Sequence, residues 1–435
     1  MTRTARAGLL VLTLINLCNY LDRYILPFLG ETLRNSPLRI SDTQFGILSS
    51  GFIVVYMLAA PLFASSGDTG SRPRLIALGV AIWSIATVLG GLAWGFVSLF
   101  VARALVGIGE AAYGTIAPSL LADYYPRHTR SRVFGIFYAV IPLGAALGYL
   151  VAGQMDVHFG WRSAFFVAGA PGILLAVAAL RLHDPPRGSQ EGDRYQPGGA
   201  PPPPGRPGGR VAPFLALLKN RPYLLTVLGY AAYTFALGAM VVFMPKFLLR
   251  VRGIPEGAAS FRFSLLLAVT GLGGTLLGGW LGDRLLRRTP QAYLWLSGIA
   301  TLLAVPLAAL ALMAADPAVY WGATTGAIAL LFLSTGPVNS MIVNVVRPDM
   351  RATAVAGSIF TIHVLGDVPS PTLLGVLSDT LQGGLAAAVL IIPVAVLVSG
   401  LIWTYAAWRE SRGTERVNRL EDRQRLDAQT RSGEQ

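Results

Sequence analysis

The chain has 435 residues, of which 53% are hydrophobic and 13% are charged, and its mean hydropathy is +0.56. Because a water-soluble domain carries roughly 25% charged residues, these values exclude an ordinary soluble enzyme or binding module. The formal net charge of +13 would suit a nucleic-acid-binding protein, but the positions of the basic residues favour a membrane topology, as described below.

Apolar residues occur in long blocks along the whole chain, as in segments 45–64 and 75–94. Each block has about 20 residues, which at ~1.5 Å per residue spans a hydrocarbon layer of about 30 Å. Because a backbone in lipid must satisfy its own hydrogen bonds, the blocks are predicted to be helices rather than strands. The predicted helices cover 8–29, 43–65, 75–95, 97–122, 131–154, 162–182, 222–246, 260–282, 291–312, 318–345, 352–378 and 385–408.

The first block has features of a secretory signal, because Arg3 and Arg6 precede an apolar run. Polar residues, Asp22 among them, interrupt its far end, and no small-residue cleavage site precedes them, so it is predicted to be the first transmembrane helix. Most of the 35 Lys and Arg residues lie in segments on the same side as the two termini. The positive-inside rule therefore predicts that both termini are cytoplasmic and that the chain lies in an inner (plasma) membrane.

A polar stretch rich in proline and glycine divides the predicted helices into two sets of six. This composition cannot bury enough apolar surface to fold alone, which favours a linker, with a docking site for a partner as the alternative. The predicted organisation is a six-helix bundle, a cytoplasmic linker, a second six-helix bundle and a charged cytoplasmic tail, over 1–182, 183–220, 221–408 and 409–435.

Two short motifs occur at equivalent places in the two halves. Segment 67–74, after the second predicted helix, reads GDTGSRPR, and segment 279–288, after the eighth, reads GWLGDRLLRR, so that Asp68 and Asp283 lie 215 residues apart. The connections that precede the fifth and the eleventh predicted helices each contain a proline followed by arginine. Because transporter folds are commonly built from duplicated bundles, these repeats predict two related halves.

The repeated aspartate followed by basic residues resembles the loop signature of the major facilitator superfamily, and the resemblance covers residues 8–408. Thr69 stands where a basic residue is usual. Segments 19–24 (NYLDRY), 103–111 (RALVGIGEA) and 366–371 (GDVPSP) together resemble the spinster family. The resemblance implies an all-α membrane protein with twelve transmembrane helices in two pseudo-symmetric six-helix bundles, working as a secondary transporter by alternating access.

Charged residues inside the predicted helices are the first candidates for function, because each costs roughly 2.5–3.5 kcal/mol in the hydrocarbon layer. From the helical rise, Asp22 and Arg103 are expected at one level, about 10 Å from the outer face, with Glu110 about 10 Å deeper on the face of Arg103. Arg23 could then exchange partners between Asp22 and Glu110. The alternative is a static ion-pair network that only fixes the packing of the helices.

The resemblance to spinster proteins implies that Asp22 is the proton carrier, so Asp22 and Arg23 are the predicted proton-coupling residues. The predicted substrate-binding residues lie on the helices that line the central cavity in this superfamily, and they are Glu110, Arg103, Asn19, Tyr20, Tyr138 and His363.

His363 and Asp367 lie at positions i and i+4, so they share a face of the eleventh predicted helix and can form a hydrogen bond. Whether that bond is structural or takes part in proton transfer stays open at this point. Pro369 and Pro371 follow directly and are expected to loosen the helix, as in a bending element.

The loop aspartate Asp68 is expected near the positive end of the eleventh helix, which begins near Arg351. Such a contact would hold the two halves together in the outward-open state, while the alternative is a signal for topology alone. The predicted gating residues of both halves are Asp68, Arg72, Arg74, Asp283, Arg284 and Asp367.

The function predicted from these observations is proton-coupled transport of a small amphipathic solute, either an organic anion or a lipid-like molecule. The lipid-like class is implied only by the spinster resemblance. No cofactor or metal is expected, because the Gly-rich stretches lack a following Gly-Lys-Ser/Thr and no Cys/His cluster is present. The expected partners are the lipid bilayer, the solute and protons, without nucleic acid, and the chain is expected to be a monomer.

Three alternatives to proton-coupled transport are an uncoupled facilitator, a multidrug exporter of the same fold, and a membrane-embedded receptor or enzyme. The last finds no support in the sequence, because no serine has the context of a nucleophile elbow.

Overall fold

The computed structural model describes residues 3–191 and 212–433, which form helices and turns without a strand. Twelve helices in these residues are long and apolar enough to cross a membrane. They are numbered here α1 (Arg3–Phe28), α2 (Asp42–Thr69), α3 (Arg72–Gly91), α4 (Phe96–Tyr124), α5 (Arg130–Phe159), α6 (Trp161–Leu180), α7 (Arg221–Arg250), α8 (Glu256–Leu286), α9 (Ala292–Met313), α10 (Pro317–Phe332 and Thr335–Asn344), α11 (Arg351–Ile362, His363–Asp367 and Pro369–Thr380) and α12 (Gly384–Ala388 and Ile391–Gly433).

The number and type of the helices confirm the prediction of an all-α membrane protein. The helices α1–α6 pack into one bundle, in which α1 lies against α5 and α3 lies against α4 and α6. The helices α7–α12 form the second bundle, in which α12 lies against α7 and α9. The two bundles meet along α2 with α11 and along α5 with α8. We call the face that holds both chain ends the terminal face and the opposite one the distal face.

Two glycines of α5 allow α1 to approach very closely. A Cβ atom added to Gly144 would lie 2.8 Å from Tyr20 Cβ, and one added to Gly148 would lie 2.5 Å from the carbonyl oxygen of Leu21. Small residues in membrane helices permit such backbone contact. The contact fixes the position of α1 directly before Asp22, the predicted proton carrier.

The predicted continuous helix over 318–345 is interrupted in the structure at Leu333 and Ser334. Pro337 explains the interruption, because it lacks an N–H and its ring crowds the carbonyl group four residues earlier, that of Leu333. The freed carbonyl lies against α8 at Gly278, where an added Cβ would come within 2.0 Å of it. The break therefore packs α10 closely against α8.

The helix α11 contains a π-helical turn over His363–Asp367, in which Gly366 has φ −107° and ψ −105°. Pro369 and Pro371, predicted to loosen this helix, cannot donate to the carbonyl groups four residues before them. At Gly366 an added Cβ would lie 2.2 Å from the hydroxyl of Thr234 on α7. Turns of this kind inside helices frequently occur at functional sites.

Residues 192–211 of the predicted linker lie outside the described residues. The described parts of the linker are residues 183–191 and residues 212–220, which contain the short helix Ala212–Lys219. The predicted tail continues α12 as a helix to Gly433.

Candidate functional site

Two ion pairs join α1 to α4 inside the first bundle. Nε of Arg23 donates to Oε2 of Glu110 at 2.6 Å. A guanidinium nitrogen of Arg103 lies 3.7 Å from Oδ1 of Asp22. The structure thus places Asp22 beside Arg103, at the one level expected from the helical rise, and gives Arg23 the deeper partner, Glu110.

The two pairs differ in how closely they are bonded. Oδ2 of Asp22 accepts a hydrogen bond from the hydroxyl of Thr87 on α3. Oδ1 of Asp22 and Nε of Arg103 are buried without a hydrogen-bond partner in the described part of the chain, and so are Oε1 of Glu110 and Nδ2 of Asn19. Because buried polar atoms are normally hydrogen-bonded, these atoms mark a place where a proton, a water molecule or a polar ligand group can bind.

Aromatic rings surround the arginines of both pairs. The guanidinium carbon of Arg23 lies 5.0 Å from the ring centre of Tyr20 and 4.7 Å from that of Tyr56. Phe52 lies between the pairs, 5.2 Å from Arg23 and 4.7 Å from Arg103. Such cation–π contacts stabilise a charge that has lost much of its water. The side chain of Arg23 is 19% exposed and that of Glu110 is fully buried, so Arg23 is the accessible member of its pair.

The same region reaches the second bundle through Tyr56. Its ring meets that of His363 edge-on, with the ring centres 5.6 Å apart. Nδ1 of His363 lies 2.8 Å from Oδ1 of Asp367, as expected from their spacing, although the turn between them is a π-turn. Contacts therefore run from the ion pair of Arg23 on α1 to the π-turn of α11.

Tyr138, predicted to bind substrate, packs against the rings of Phe134 and Phe137 on its own helix, with ring centres 6.1 and 4.9 Å away. In the described residues no hydrogen bond or ion pair joins it to the four charges of α1 and α4. Tyr138 does lie within electrostatic range of Tyr20 and Tyr56, so the structure places it beside the aromatic residues of the site but, among the described residues, not in direct contact with the charges.

At the terminal face Asp68 connects the end of α2 to the start of α11. Its two carboxylate oxygens accept the backbone N–H groups of Ala352, at 2.8 Å, and of Thr353, at 3.1 Å. The hydroxyl of Thr353 donates to the same carboxylate at 2.5 Å. The start of a helix carries unpaired N–H groups and a partial positive charge, which favour an anion at this place. We call this arrangement the Asp68 contact.

Asp283 makes the equivalent contact between α8 and the start of α5. It accepts the backbone N–H groups of Ser131, at 3.0 Å, and of Arg132, at 2.9 Å. The hydroxyl of Tyr293 donates to Oδ1 of Asp283 at 2.8 Å. In both contacts the aspartate binds the second and third residues of a helix in the other bundle. We call this arrangement the Asp283 contact.

Buried charges next to the Asp68 contact form a cluster that the sequence argument did not predict. Asp123, at the end of α4, accepts from Arg72 at 2.5 Å and from Arg351 of the second bundle at 2.5 Å. Glu191 of the linker accepts from both Arg351 and Arg130. We call Arg72, Asp123, Arg130, Glu191 and Arg351 the terminal-face cluster.

The linker segment 184–191 is packed into this cluster. Asp184 pairs with Nε of Arg72 at 2.7 Å, and Oδ1 of Asp123 accepts the N–H of Gly188 at 2.9 Å. Burial raises the pKa of Glu191, but the two arginines lower it by a larger amount. The pKa of Glu191 therefore lies below its ordinary value. The beginning of the linker is therefore a structural part of the closed terminal face rather than a solvated connection.

The three predicted gating arginines lie in different surroundings. Arg72 is linked to the second bundle through Asp123, which it shares with Arg351. Arg74 and Arg284 are exposed, and in the described residues neither has an ion pair. The guanidinium of Arg284 lies over the ring of Trp280 at 5.3 Å. The loop signature thus contributes Asp68, Asp283 and Arg72 to contacts between the bundles.

Comparison with known proteins places the chain among transporters. Residues 12–371 match the Major Facilitator Superfamily. The chain is 33% identical to human protein spinster homolog 1 over 399 residues, which cover 86% of this chain and 72% of that protein. It is 29% identical to the sphingosine-1-phosphate transporter of Danio rerio, with 93% and 84% covered. Protein spinster of Drosophila melanogaster is 32% identical, and the chain spans 62% of its length.

A solved structure shows the same arrangement of helices. It is that of a bacterial homologue of the human lysosomal transporter spinster, in an inward-facing and unoccupied conformation. The TM-score is 0.62 at 26% sequence identity, and the match covers 94% of this chain and 98% of that chain. Both the sequence and the fold of this chain are therefore those of a membrane transporter rather than an enzyme.

Proposed function

Since the chain belongs to the spinster family of the major facilitator superfamily, we propose that it carries a small amphipathic solute by alternating access, coupled to protons. The solute class we propose is an anion with an apolar tail, such as a lysophospholipid or a phosphorylated long-chain base. The sphingosine-1-phosphate transporter among its relatives supports this class, and so does the aromatic surrounding of the two arginines.

The observation that carries the proposal is the loose pair of Asp22 and Arg103. The two side chains are 3.7 Å apart, and neither Oδ1 of Asp22 nor Nε of Arg103 has a hydrogen-bond partner among the described residues. A buried carboxylate without a closely bonded counter-charge is neutralised by a proton more readily than a tightly paired one. Asp22 is therefore the proposed proton carrier, and Thr87 orients it by donating its hydroxyl to the other oxygen.

Proton binding to Asp22 also changes the state of Arg103. When Asp22 is neutral, Arg103 has lost its nearest negative charge, and a phosphate or carboxylate of the solute can replace it. Arg103 donates in a planar fork that suits such anions. Phe52, which touches both arginines, and Tyr56 provide apolar surface for the beginning of the tail. Release of the proton restores the Asp22–Arg103 pair and favours release of the anion.

Glu110 and Arg23 are proposed to connect this event to the second bundle. Arg23 is held by Glu110 and stacked on Tyr56, which in turn touches His363. A change of partner at Arg23 would move Tyr56 against the π-turn of α11. This turn is the element we propose to bend, since Gly366 already departs from helical geometry there.

We further propose that the terminal face is cytoplasmic, in accordance with the positive-inside rule. The Asp68 and Asp283 contacts then close the cytoplasmic side, and the conformation described is the outward-facing one. Opening to the cytoplasm requires both contacts to break.

Uptake in proteoliposomes with an imposed pH gradient tests the proposal. Lysophosphatidylglycerol and sphingosine-1-phosphate serve as the anionic solutes and the zwitterionic lysophosphatidylcholine as the comparison, with proton movement followed by a trapped pH-sensitive dye. We expect Asp22→Asn to abolish the response to the gradient while solute exchange at equal pH continues. Asp379→Asn is the matched control, because Asp379 is exposed at the end of α11. If Asp22→Asn keeps gradient-driven transport, the proton carrier is not Asp22, and if no solute moves under any condition the proposed solute class is wrong.

A further inference from the structure

An apolar groove lies on the outside of the second bundle, between α8, α9 and α10. It has a volume of about 360 Å³ and is lined by side chains that include Leu285, Trp295, Leu296, Ile299 and Leu303. Ile299 and Leu303 are 47% and 56% exposed. The opposite face of α9 packs against α12, where an added Cβ at Gly298 would meet Thr404. The groove therefore opens to the lipid and not to the interior between the bundles.

The groove has the length of one lipid leaflet. Its lining follows α9 from Ala292 at the terminal face to Leu303, a distance of about 16 Å at the helical rise. Half of a hydrocarbon core of about 30 Å is about 15 Å. An acyl chain lying in this groove would thus extend from the headgroup level to the middle of the membrane.

Two arginines lie at the end of the groove that faces the headgroups. Arg287 and Arg288 directly follow α8, and both are exposed. The turn is fixed because the N–H groups of Arg288 and Thr289 both donate to the carbonyl of Leu285, which lines the groove. In the described part of the chain neither arginine has a carboxylate partner.

The repeat shows that the lack of a partner is particular to the second half. Arg72 is equivalent to Arg287, because each lies four residues after the aspartate of its loop. Arg72 is fully buried between Asp123 and Asp184. The residue of the second half that corresponds to Asp123 is the neutral Asn344, and Arg287 lies at the surface without a carboxylate partner among the described residues.

We propose that this groove binds an anionic phospholipid of the terminal-face leaflet. One acyl chain would lie along α9, and the phosphate would contact Arg287 and Arg288. Basic residues at the end of an interhelical groove are typical of sites for anionic headgroups. The site is separate from the transported solute, because it lies outside the bundle and shares no residue with the ion pairs of α1 and α4.

Native mass spectrometry of the full chain in a neutral detergent tests this site. The protein is stripped of lipid and titrated with phosphatidylglycerol or phosphatidylcholine of the same acyl chains. We expect tighter binding of the first phosphatidylglycerol molecule. The double variant Arg287→Gln/Arg288→Gln should weaken that binding about tenfold and leave phosphatidylcholine unchanged. Arg3→Gln/Arg6→Gln is the matched control, because it removes two exposed charges from the same face of the first bundle.

A second variant tests the apolar part of the site. Ala300 is buried in the groove wall, and Ala300→Phe should fill the groove and reduce the binding of both lipids, with thermal unfolding as the check of the fold. Equal binding of the two lipids by the unsubstituted chain would overturn the proposal. So would an equal loss in the two double arginine variants, which would indicate a general effect of surface charge, or full lipid binding by a folded Ala300→Phe variant.

Discussion

Asp68 and Asp283 occupy equivalent places in the two halves, and each binds the first N–H groups of a helix in the other bundle. The arginines that begin these helices, Arg351 and Arg130, are also equivalent, and both are buried. Each donates to the other half, at the residue seven positions before the equivalent arginine of that half. Arg351 donates to Asp123, whereas Arg130 donates to Asn344, both at 2.5 Å.

The difference between Asp123 and Asn344 changes the whole surrounding of the contact. Asp123 forms an ion pair with the buried Arg72, and Asp184 of the linker forms a second ion pair with the same arginine. With Asn344 in the second half, Arg287 stays exposed. The comparison indicates that backbone contacts to helix starts close the terminal face in both halves, while the charge-dependent part of the closure belongs to the first.

The largest difference between the halves is expected when Asp123 and Asn344, the equivalent acceptors of Arg351 and Arg130, are each replaced by alanine. Asp123→Ala leaves Arg72 and Arg351 buried side by side without their shared carboxylate. Loss of one partner from a buried ion pair costs about 3–5 kcal/mol, so the closed terminal face should give way to an open one. Asn344→Ala removes a single neutral acceptor from Arg130 and should cost about 1–3 kcal/mol.

Distances between spin labels on Ser71→Cys and Arg347→Cys, in a Cys18→Ala background, measure this equilibrium, because the two sites lie on different bundles and are exposed. We expect a long-distance population to dominate with Asp123→Ala and to remain the minor one with Asn344→Ala. Equal populations in the two variants would contradict the assignment of the charge-dependent closure to the first half.

Substitution of either loop aspartate, Asp68 or Asp283, is expected to open the terminal face less than Asp123→Ala does, and by a similar amount in the two cases. Asp68→Asn and Asp283→Asn each keep one acceptor oxygen and lose the charge that faces the start of a helix. A hydrogen bond to a charged group contributes about 1.5–3 kcal/mol, so each variant should shift the same label distances by a similar amount. Opening by only one of the two variants would show that the backbone contacts are not equivalent.

The sequence predicts much of the site between α1 and α4, because a charged residue inside a predicted transmembrane helix is costly and therefore indicates a function. Asp22, Arg23, Arg103 and Glu110 were identified in this way, and the helical rise placed Asp22 level with Arg103. Thr87 could not be predicted, since an uncharged hydroxyl in an apolar helix is common and its bond to Asp22 depends on the packing of α3.

The terminal-face cluster was missed for a different reason. Its acid from the linker, Glu191, lies in a segment without periodicity, whose composition indicates a solvated chain. That segment is ordered by its contacts with Asp123 and with the arginines of the terminal-face cluster, and the positions of these residues follow from the closed arrangement of both bundles. Pro337 alone does not predict the break at Leu333, because Pro118, Pro142 and Pro306 lie inside helices that continue.

A pH dependence should distinguish the halves further. Arg130 and Arg351 lower the pKa of Glu191 in the closed state, against the effect of burial. A group with a lowered pKa stabilises the closed state at neutral pH, and that contribution is lost as the pH falls below the ordinary value of about 4.3 and through the lowered one. Asn344 does not titrate, so its contact with Arg130 supplies no such response.

The label distances, recorded from pH 7 down to pH 3, should therefore show a growing open population. Glu191→Gln should raise the open population at pH 7 and flatten the part of the curve that Glu191 contributes. An Asp379→Asn variant, altered at the exposed distal end of α11, should follow the unsubstituted curve. A pH response unaffected by Glu191→Gln would assign it to another carboxylate.

The smallest expected effects concern the side-chain hydroxyls that complete the two aspartate contacts. Asp68 receives its third hydrogen bond from Thr353 of the other bundle, and Asp283 receives its third from Tyr293 of its own bundle. Thr353→Val should therefore open the terminal face slightly, by about 0.5–1.5 kcal/mol for one hydrogen bond, and Thr353→Ser should restore the closed population. The hydroxyl of Tyr293 also lies 2.8 Å from the backbone carbonyl oxygen of Arg127 in the first bundle, so Tyr293→Phe should open the terminal face by a similar amount. Opening by Thr353→Val alone would mean that the contact of Tyr293 with Arg127 does not hold the bundles together.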